Sequence, residues 1–195
     1  MMSFISYDEF IKQIENCKKC ELYLSRTKPV VGEGNLNSKF VLIGEAPGKN
    51  EDIYGRPFVG RAGEVLNRAL DEIKVDRINV YITNVVKCRP PKNRKPKTNE
   101  VLSCLHYLIF QLMYINPLKI VLLGGTAVKY LYDESFPYKK IPKEKKISEI
   151  RGKLGNFKAY DRSFQTYATY HPAMILRNPR LYEVFKEDLD MYLKS

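Results

Sequence analysis

The chain is short of histidine and of acid, and it has no long apolar run. Only two histidines, His106 and His171, and four cysteines occur in its 195 residues. No apolar stretch approaches the ~20 residues that a membrane-spanning helix needs, and no basic amphipathic anchor is legible, so a membrane partner is excluded. The opening MMSFISYDEF lacks a basic segment followed by an apolar run, and no signal peptide is expected. The expected compartment is therefore the cytoplasm, beside the nucleoid if the source is prokaryotic. Thiols stay reduced there, and metal ligation outranks disulfides. No serine, histidine and aspartate arrangement for nucleophilic catalysis can be read. A zinc ribbon is excluded because there is no second Cys-x2-Cys. A phosphate loop is excluded as well. Gly44-Glu45-Ala46-Pro47-Gly48-Lys49 has three residues between its glycines instead of four, and Asn50 stands where Ser or Thr would hold magnesium.

What the chain has in excess is positive charge. Its 33 Lys and Arg against 22 Asp and Glu leave a net +11, which favours a polyanionic partner, nucleic acid before membrane. With 44% hydrophobic and 28% charged residues it reads as globular rather than disordered. The length suits one domain over 1–195, with no linker and no internal repeat.

Glycine is concentrated in one place. Five of the 11 glycines fall between Gly44 and Gly63, with Pro47 and Pro57 among them. Such a loop takes unusual backbone angles or approaches a ligand closely. It follows Phe40–Ile43, an apolar run that reads as a buried strand, and open α/β sheets place their chemistry at the carboxyl ends of strands. Upstream, Ser6-Tyr7-Asp8-Glu9 has capping-box spacing, with Ile5 and Phe10 placed as a hydrophobic staple, so a first helix runs to about Cys17. Apolar positions from Ala62 to Ile73 and from Val101 to Met113 keep helical spacing, the second pattern giving a helix from about Thr98 to Ile115. Strands are expected at Asn79–Thr83, Lys119–Leu123, Gly155–Tyr160 and Thr166–Tyr170. A short helix should end near Tyr132, and 133–153 reads as a polar surface excursion. Asn178 and Pro179 fit the cap and first position of a last helix to about Leu193. Strands alternating with helices imply a mainly parallel sheet covered on both faces.

The cysteines are Cys17-x2-Cys20, then Cys88, then Cys104. Four thiolates gathered from distant segments suit an iron–sulfur cluster or a structural zinc, and spacing does not choose between them. His106 lies inside a helix and reads as an ordinary packing or surface residue, whereas His171 ends a strand before a proline. Lys87, Arg89, Lys92, Arg94, Lys95 and Lys97 form a basic loop without an acid, next to a strand end, and suit phosphate contact.

Four ordered motifs extend this reading: Gly44-Glu45-Ala46-Pro47-Gly48, Gly55-Arg56-Pro57-Phe58-Val59-Gly60, the run from Thr83 to Pro90, and His171-Pro172-Ala173. Together with the four cysteines they make the chain similar to the family 4 uracil-DNA glycosylases, over roughly Phe10 to Leu193; the basic 133–153 segment departs from the family pattern. The resemblance implies a three-layer α/β/α fold with a central four-stranded, mainly parallel sheet. It also implies a [4Fe-4S] cluster on Cys17, Cys20, Cys88 and Cys104. The expected activity is monofunctional excision of uracil from single- or double-stranded DNA in base-excision repair, by a monomer. Uracil would be held by Glu45, Ala46, Pro47, Glu51, Phe58, Asn84 and His171. Phe58 would stack on the base, Asn84 would read its N3–H and O4, and Glu51 would crowd a thymine methyl. Glu45 and His171 carry the catalytic roles: His171 at uracil O2, Glu45 at the water or the sugar cation. The family 1 enzymes have an aspartate where this chain has Ala46, so a strong general base is missing. Lys87, Arg89, Arg94, Leu176 and Arg177 would contact DNA, Leu176 and Arg177 filling the gap in the duplex. The rivals are a non-catalytic nucleic-acid-binding protein stabilised by a cluster or zinc, and an electron carrier.

Overall fold

The computed structural model describes residues 5–194. Helix α1 (Tyr7–Glu15) starts where its capping box places it. The Ser6 hydroxyl accepts from the Glu9 N–H at 3.2 Å, and the Glu9 carboxylate accepts from the Ser6 N–H at 2.8 Å. The chain continues through β1 (Glu33–Gly34), β2 (Phe40–Gly44), α2 (Lys49–Tyr54), α3 (Arg61–Glu72), β3 (Tyr81–Asn84), α4 (Thr98–Ile115), β4 (Lys119–Leu123) and α5 (Gly125–Leu131). It ends with β5 (Glu134–Phe136), α6 (Ile147–Ile150), β6 (Gly155–Ala159), β7 (Arg162–Thr169), α7 (Pro172–Arg177) and α8 (Tyr182–Lys194).

Among the described residues the sheet has seven strands, in the order β1-β3-β2-β4-β7-β6-β5, so the expected count of four is corrected. The parallel centre, β3-β2-β4-β7, is the part whose apolar runs announce themselves. The added strands flank it: β1 antiparallel to β3, β6 antiparallel to β7, and β5 parallel to β6. Central strands pack on both faces and therefore read as continuous apolar runs rather than alternating ones. Val41 and Ile43 of β2 and Ile120 and Leu122 of β4 face one core with α1, α4 and α5. Leu42, Val121 and Leu123 face the other, with α3 and α8. No helix among the described residues is long and apolar enough to cross a membrane.

Three further expectations change. The strand expected from Asn79 begins at Tyr81, because Asp76 accepts from the Ile78 N–H at 3.1 Å and caps a 3-10 turn over Arg77–Asn79. The 133–153 excursion contributes β5 and α6. Phe136 seats β5 by meeting Tyr138 and Tyr160 edge-on at 5.7 Å each, and Lys145 pairs with Glu134. The last helix keeps its start at Asn178 and Pro179, but its first turn, Pro179–Leu181, is 3-10 before α8, and Pro172 opens an additional helix, α7, ahead of it. These elements carry the ends of four parallel strands to one edge of the sheet.

Candidate active site

The carboxyl ends of β2, β3, β4 and β7 open on one cavity of about 500 Å³. It is lined by Leu123 at the end of β4, Gly124 just after it and Asn84 at the end of β3. Glu45, Ala46 and Pro47 follow β2 directly, Glu51 comes from α2, Phe58 from the loop before α3, and His171 from the turn after β7. All seven residues expected around uracil therefore line the same space. That is where an open α/β sheet puts a ligand.

Two glycines make the approach possible. A Cβ on Gly44 would strike the Asn84 Oδ1 and come within 2.6 Å of Phe58 Cζ. Gly124 adopts φ +94°, and a Cβ there would lie 2.8 Å from the Cβ of His171. Both sites need a residue without a side chain. Gly44→Ala is expected to push the carboxamide and the ring apart and to lower kcat/KM about 10-fold or more. Its stability should fall by about 1–3 kcal/mol. Steady-state kinetics and a melting curve on the purified variant check both numbers.

Asn84 is 2% exposed, and its Oδ1 has no hydrogen-bond partner among the described residues. An orphaned buried acceptor costs about 1–3 kcal/mol, so it marks a place where a donor is to arrive. Phe58 is buried at φ +51°, with its ring centroid 5.7 Å from that of His171 and tilted 31°. The imidazole caps α7: its Nδ1 accepts from the Ala173 N–H at 3.1 Å. That bond leaves the ring proton on Nε2. Burial pulls the His171 pKa down to about 4, against the nearby Glu51 carboxylate, which raises it, and with Arg177, which lowers it. The ring is thus neutral near pH 7 and a donor at Nε2.

The two carboxylates are held differently. Glu51 Oε1 accepts from the Val59 and Gly60 N–H groups at 2.9 and 2.7 Å, tying α2 to the start of α3. It fastens the Phe58 loop rather than standing free in solvent. Glu45 accepts from the hydroxyl of Thr126, a buried residue of α5. Thr126 is a partner that no local sequence pattern announces.

The residues expected to meet DNA are not all at the surface. Lys87 is 1% exposed, with Nζ donating to Thr83 Oγ1, the Asn84 carbonyl and Gln111 Oε1 at 2.6, 2.9 and 2.6 Å. It cannot reach a phosphate, which corrects its assignment to DNA contact. Burial pulls its ammonium down to about 7, opposed by the neighbouring Cys104 and Cys88. Arg94 lines the cavity but is engaged in a bidentate pair with buried Glu100, at 2.8 and 2.6 Å. Arg89 is half-buried and donates to Asn93 Oδ1 at 2.7 Å. Arg177 lines the cavity rim, and Leu176 is exposed next to it. Met174, missed in the sequence, lines the rim at 48% exposure. His106 lies away from the cavity and accepts from Lys19 Nζ at 2.9 Å.

The four cysteines meet around Cys88 in the β3–α4 connection. Cys17, Cys20, Cys88 and Cys104 line one small cavity with Arg26 and Tyr107. Arg26 Nη1 donates to Cys88 Sγ at 3.1 Å, and the Lys87 N–H donates to Cys104 Sγ at 3.3 Å. Hydrogen bonds to the sulfurs are among the features by which a protein tunes thiolate ligands of a cluster. Among the described residues, no three His, Cys, Asp or Glu are grouped tightly enough to hold a metal ion. The donor set, four thiols and no imidazole or carboxylate, fits an iron–sulfur cluster.

Residues 31–193 match the family model of the uracil DNA glycosylase superfamily. Relatives match along nearly the whole chain. The type-4 uracil-DNA glycosylase of Saccharolobus solfataricus is 42% identical, over 93% of this chain and 82% of its own. That of Archaeoglobus fulgidus is 41% identical, over 94% of this chain and 89% of its own. The type-4 enzyme of Thermotoga maritima is 42% identical, over 92% and 88%. The chain belongs to the uracil DNA glycosylase superfamily and, within it, to the type-4 uracil-DNA glycosylases.

Proposed function

We propose that this chain, acting as a single-domain monomer, flips uracil out of DNA and hydrolyses its N-glycosidic bond, leaving an abasic site. The observation that carries the reading is the Asn84 Oδ1, buried without a partner among the described residues in a cavity walled by Phe58 and His171. An extruded uracil stacks on Phe58 and gives its N3–H to Asn84 Oδ1, while the Asn84 amide donates to O4. Cytosine offers an acceptor at N3 and a donor at its amine, so both contacts with the Asn84 carboxamide would be mismatched. As the bond to C1′ breaks, its electron pair goes to the base and negative charge gathers on O2. The Nε2–H of neutral His171 donates to it as a preorganised dipole. Water adds its hydroxyl to C1′ and its proton ends on the departing uracil. Glu45, held by Thr126, orients that water or offsets the sugar's positive charge. No lysine is among the described residues lining the cavity, which supports hydrolysis without strand cleavage. Arg177, which lines the cavity, and Leu176 and Arg89 are the residues left to meet the DNA.

Cys17, Cys20, Cys88 and Cys104 would hold a [4Fe-4S] cluster. Bound there, it would tie Cys17 and Cys20, in the segment after α1, to Cys88 in the β3–α4 connection and Cys104 in α4. Cys104→Ala is expected to lose iron and about 3 kcal/mol of stability, a fall of roughly 6–12 °C in Tm. Iron analysis with a melting curve decides, and a folded, iron-free variant of native Tm would contradict the assignment.

The functional reading is tested with a duplex or single-stranded oligonucleotide carrying one uracil. Protein followed by alkali should yield one break at the uracil, and protein without alkali none. Binding without any alkali-labile product would instead favour a non-catalytic DNA-binding protein.

A further inference from the structure

We infer that Lys87 is a positioning residue for uracil recognition: its buried ammonium fixes the main chain from which Asn84 presents its carboxamide. This inference rests on the function proposed above. The Lys87 side chain doubles back along the strand it follows. It reaches the carbonyl of Asn84 three residues before it and the hydroxyl of Thr83 four residues before it. Its third bond goes across to Gln111 Oε1 on α4. Three N–H donors meet three acceptors.

Each acceptor is itself tied down. Thr83 Oγ1 donates to the Val31 carbonyl at 2.8 Å. Gln111 Nε2 points to the same carbonyl and to the Tyr81 hydroxyl, both at 2.9 Å. Thr83, Gln111 and Lys87 are at most 1% exposed. A buried polar network with every member satisfied specifies one arrangement of the groups it joins. Stability alone is a poor reason for it, since a buried charge replaced by an apolar side chain of similar volume is often neutral or stabilising. What the network holds is a cavity-lining residue whose buried side-chain acceptor lacks a partner among the described residues. Asn84 thus has its main-chain oxygen saturated by Lys87 and its side-chain oxygen left for the base.

The test is a double-mutant cycle of Lys87→Met and Asn84→Ala, by single-turnover uracil release and by binding to uracil DNA. Circular dichroism and iron content confirm the fold of each variant. Lys87→Met is expected to slow release about 30–100-fold in the native background, with Kd for DNA within about two-fold. In the Asn84→Ala background the same change should cost less than about 3-fold, since the group it positions is gone. Should Lys87→Met not fold, Gln111→Met removes one of the three anchors and leaves the ammonium in place. It should slow release several-fold beside Asn84 and not beside Ala at position 84. Equal losses in the two backgrounds, or a folded Lys87→Met with the native rate, overturn the inference. A native chain that releases no uracil overturns it together with the function it rests on.

Discussion

Asn84→Ala is expected to cut kcat/KM for uracil release by about 10²-fold or more while leaving the protein as stable as before. The two halves of that expectation come from the same side chain. In the free protein Oδ1 is buried without a donor, which costs about 1–3 kcal/mol. Removing it relieves that cost and opens a small cavity, so the two changes offset. With uracil bound, the loss is two hydrogen bonds in a site that excludes water, about 1–3 kcal/mol each. An asparagine kept for structure would behave differently, losing stability and activity together. Activity assays and melting curves on one preparation separate the cases. Discrimination between uracil and cytosine should narrow in the same variant, because the carboxamide is the group that reads N3 and position 4.

The second large effect is expected at His171. His171→Ala should lower kcat by about 10²–10³-fold with little change in binding, as for loss of one donor to a developing oxyanion. The pH dependence identifies the form that acts. The ring's pKa in the folded protein is about 4, so it is uncharged through the neutral range. kcat should therefore show no fall as pH rises through 6–7, which a cationic donor would produce. Stability runs the other way. The unfolded imidazole takes its proton near 6.5 and the folded one only near 4. The contribution is thus fully present above about 6.5 and lost as pH falls toward 4. His171→Gln should flatten that part of the stability curve. A kcat that drops across pH 6–7 in the native protein and not in the variant would show that the cation acts.

Much of this site was legible in the sequence because its parts obey local rules. Lys119–Leu123 and Thr98–Ile115 appear as β4 and α4 with the expected bounds. The strand is an unbroken apolar run, and the helix shows several turns of three-and-four spacing. The glycine-rich stretch pointed to the loop after β2, and the turn at His171 to the end of β7. What local rules do not carry is direction. Lys87 sits in a run of basic residues that reads as a phosphate-contacting loop, yet it bends back three and four residues to satisfy its own strand. Its neighbour Arg94 is spoken for by Glu100, whose burial is set by α4 and not by the loop. Strand β5 is three residues long, too short for any period to show, and depends on contacts with Tyr138 and Tyr160. Helix α2 was hidden inside the glycine-rich stretch, between Gly48 and Gly55, which bound it on either side. Thr126 meets Glu45 from 81 positions away, beyond the reach of any motif.

The central claim is that one cavity, with an acceptor waiting at Asn84 and a neutral donor at His171, accepts a single pyrimidine and stabilises it as it leaves. The most direct measurement is the free base released by iron-loaded protein under single-turnover conditions. It is taken from three oligonucleotides identical except for uracil, thymine or cytosine at one position. The expected result is stoichiometric uracil from the first and no detectable base from the other two. Release of all three at similar rates, or of none, would contradict it.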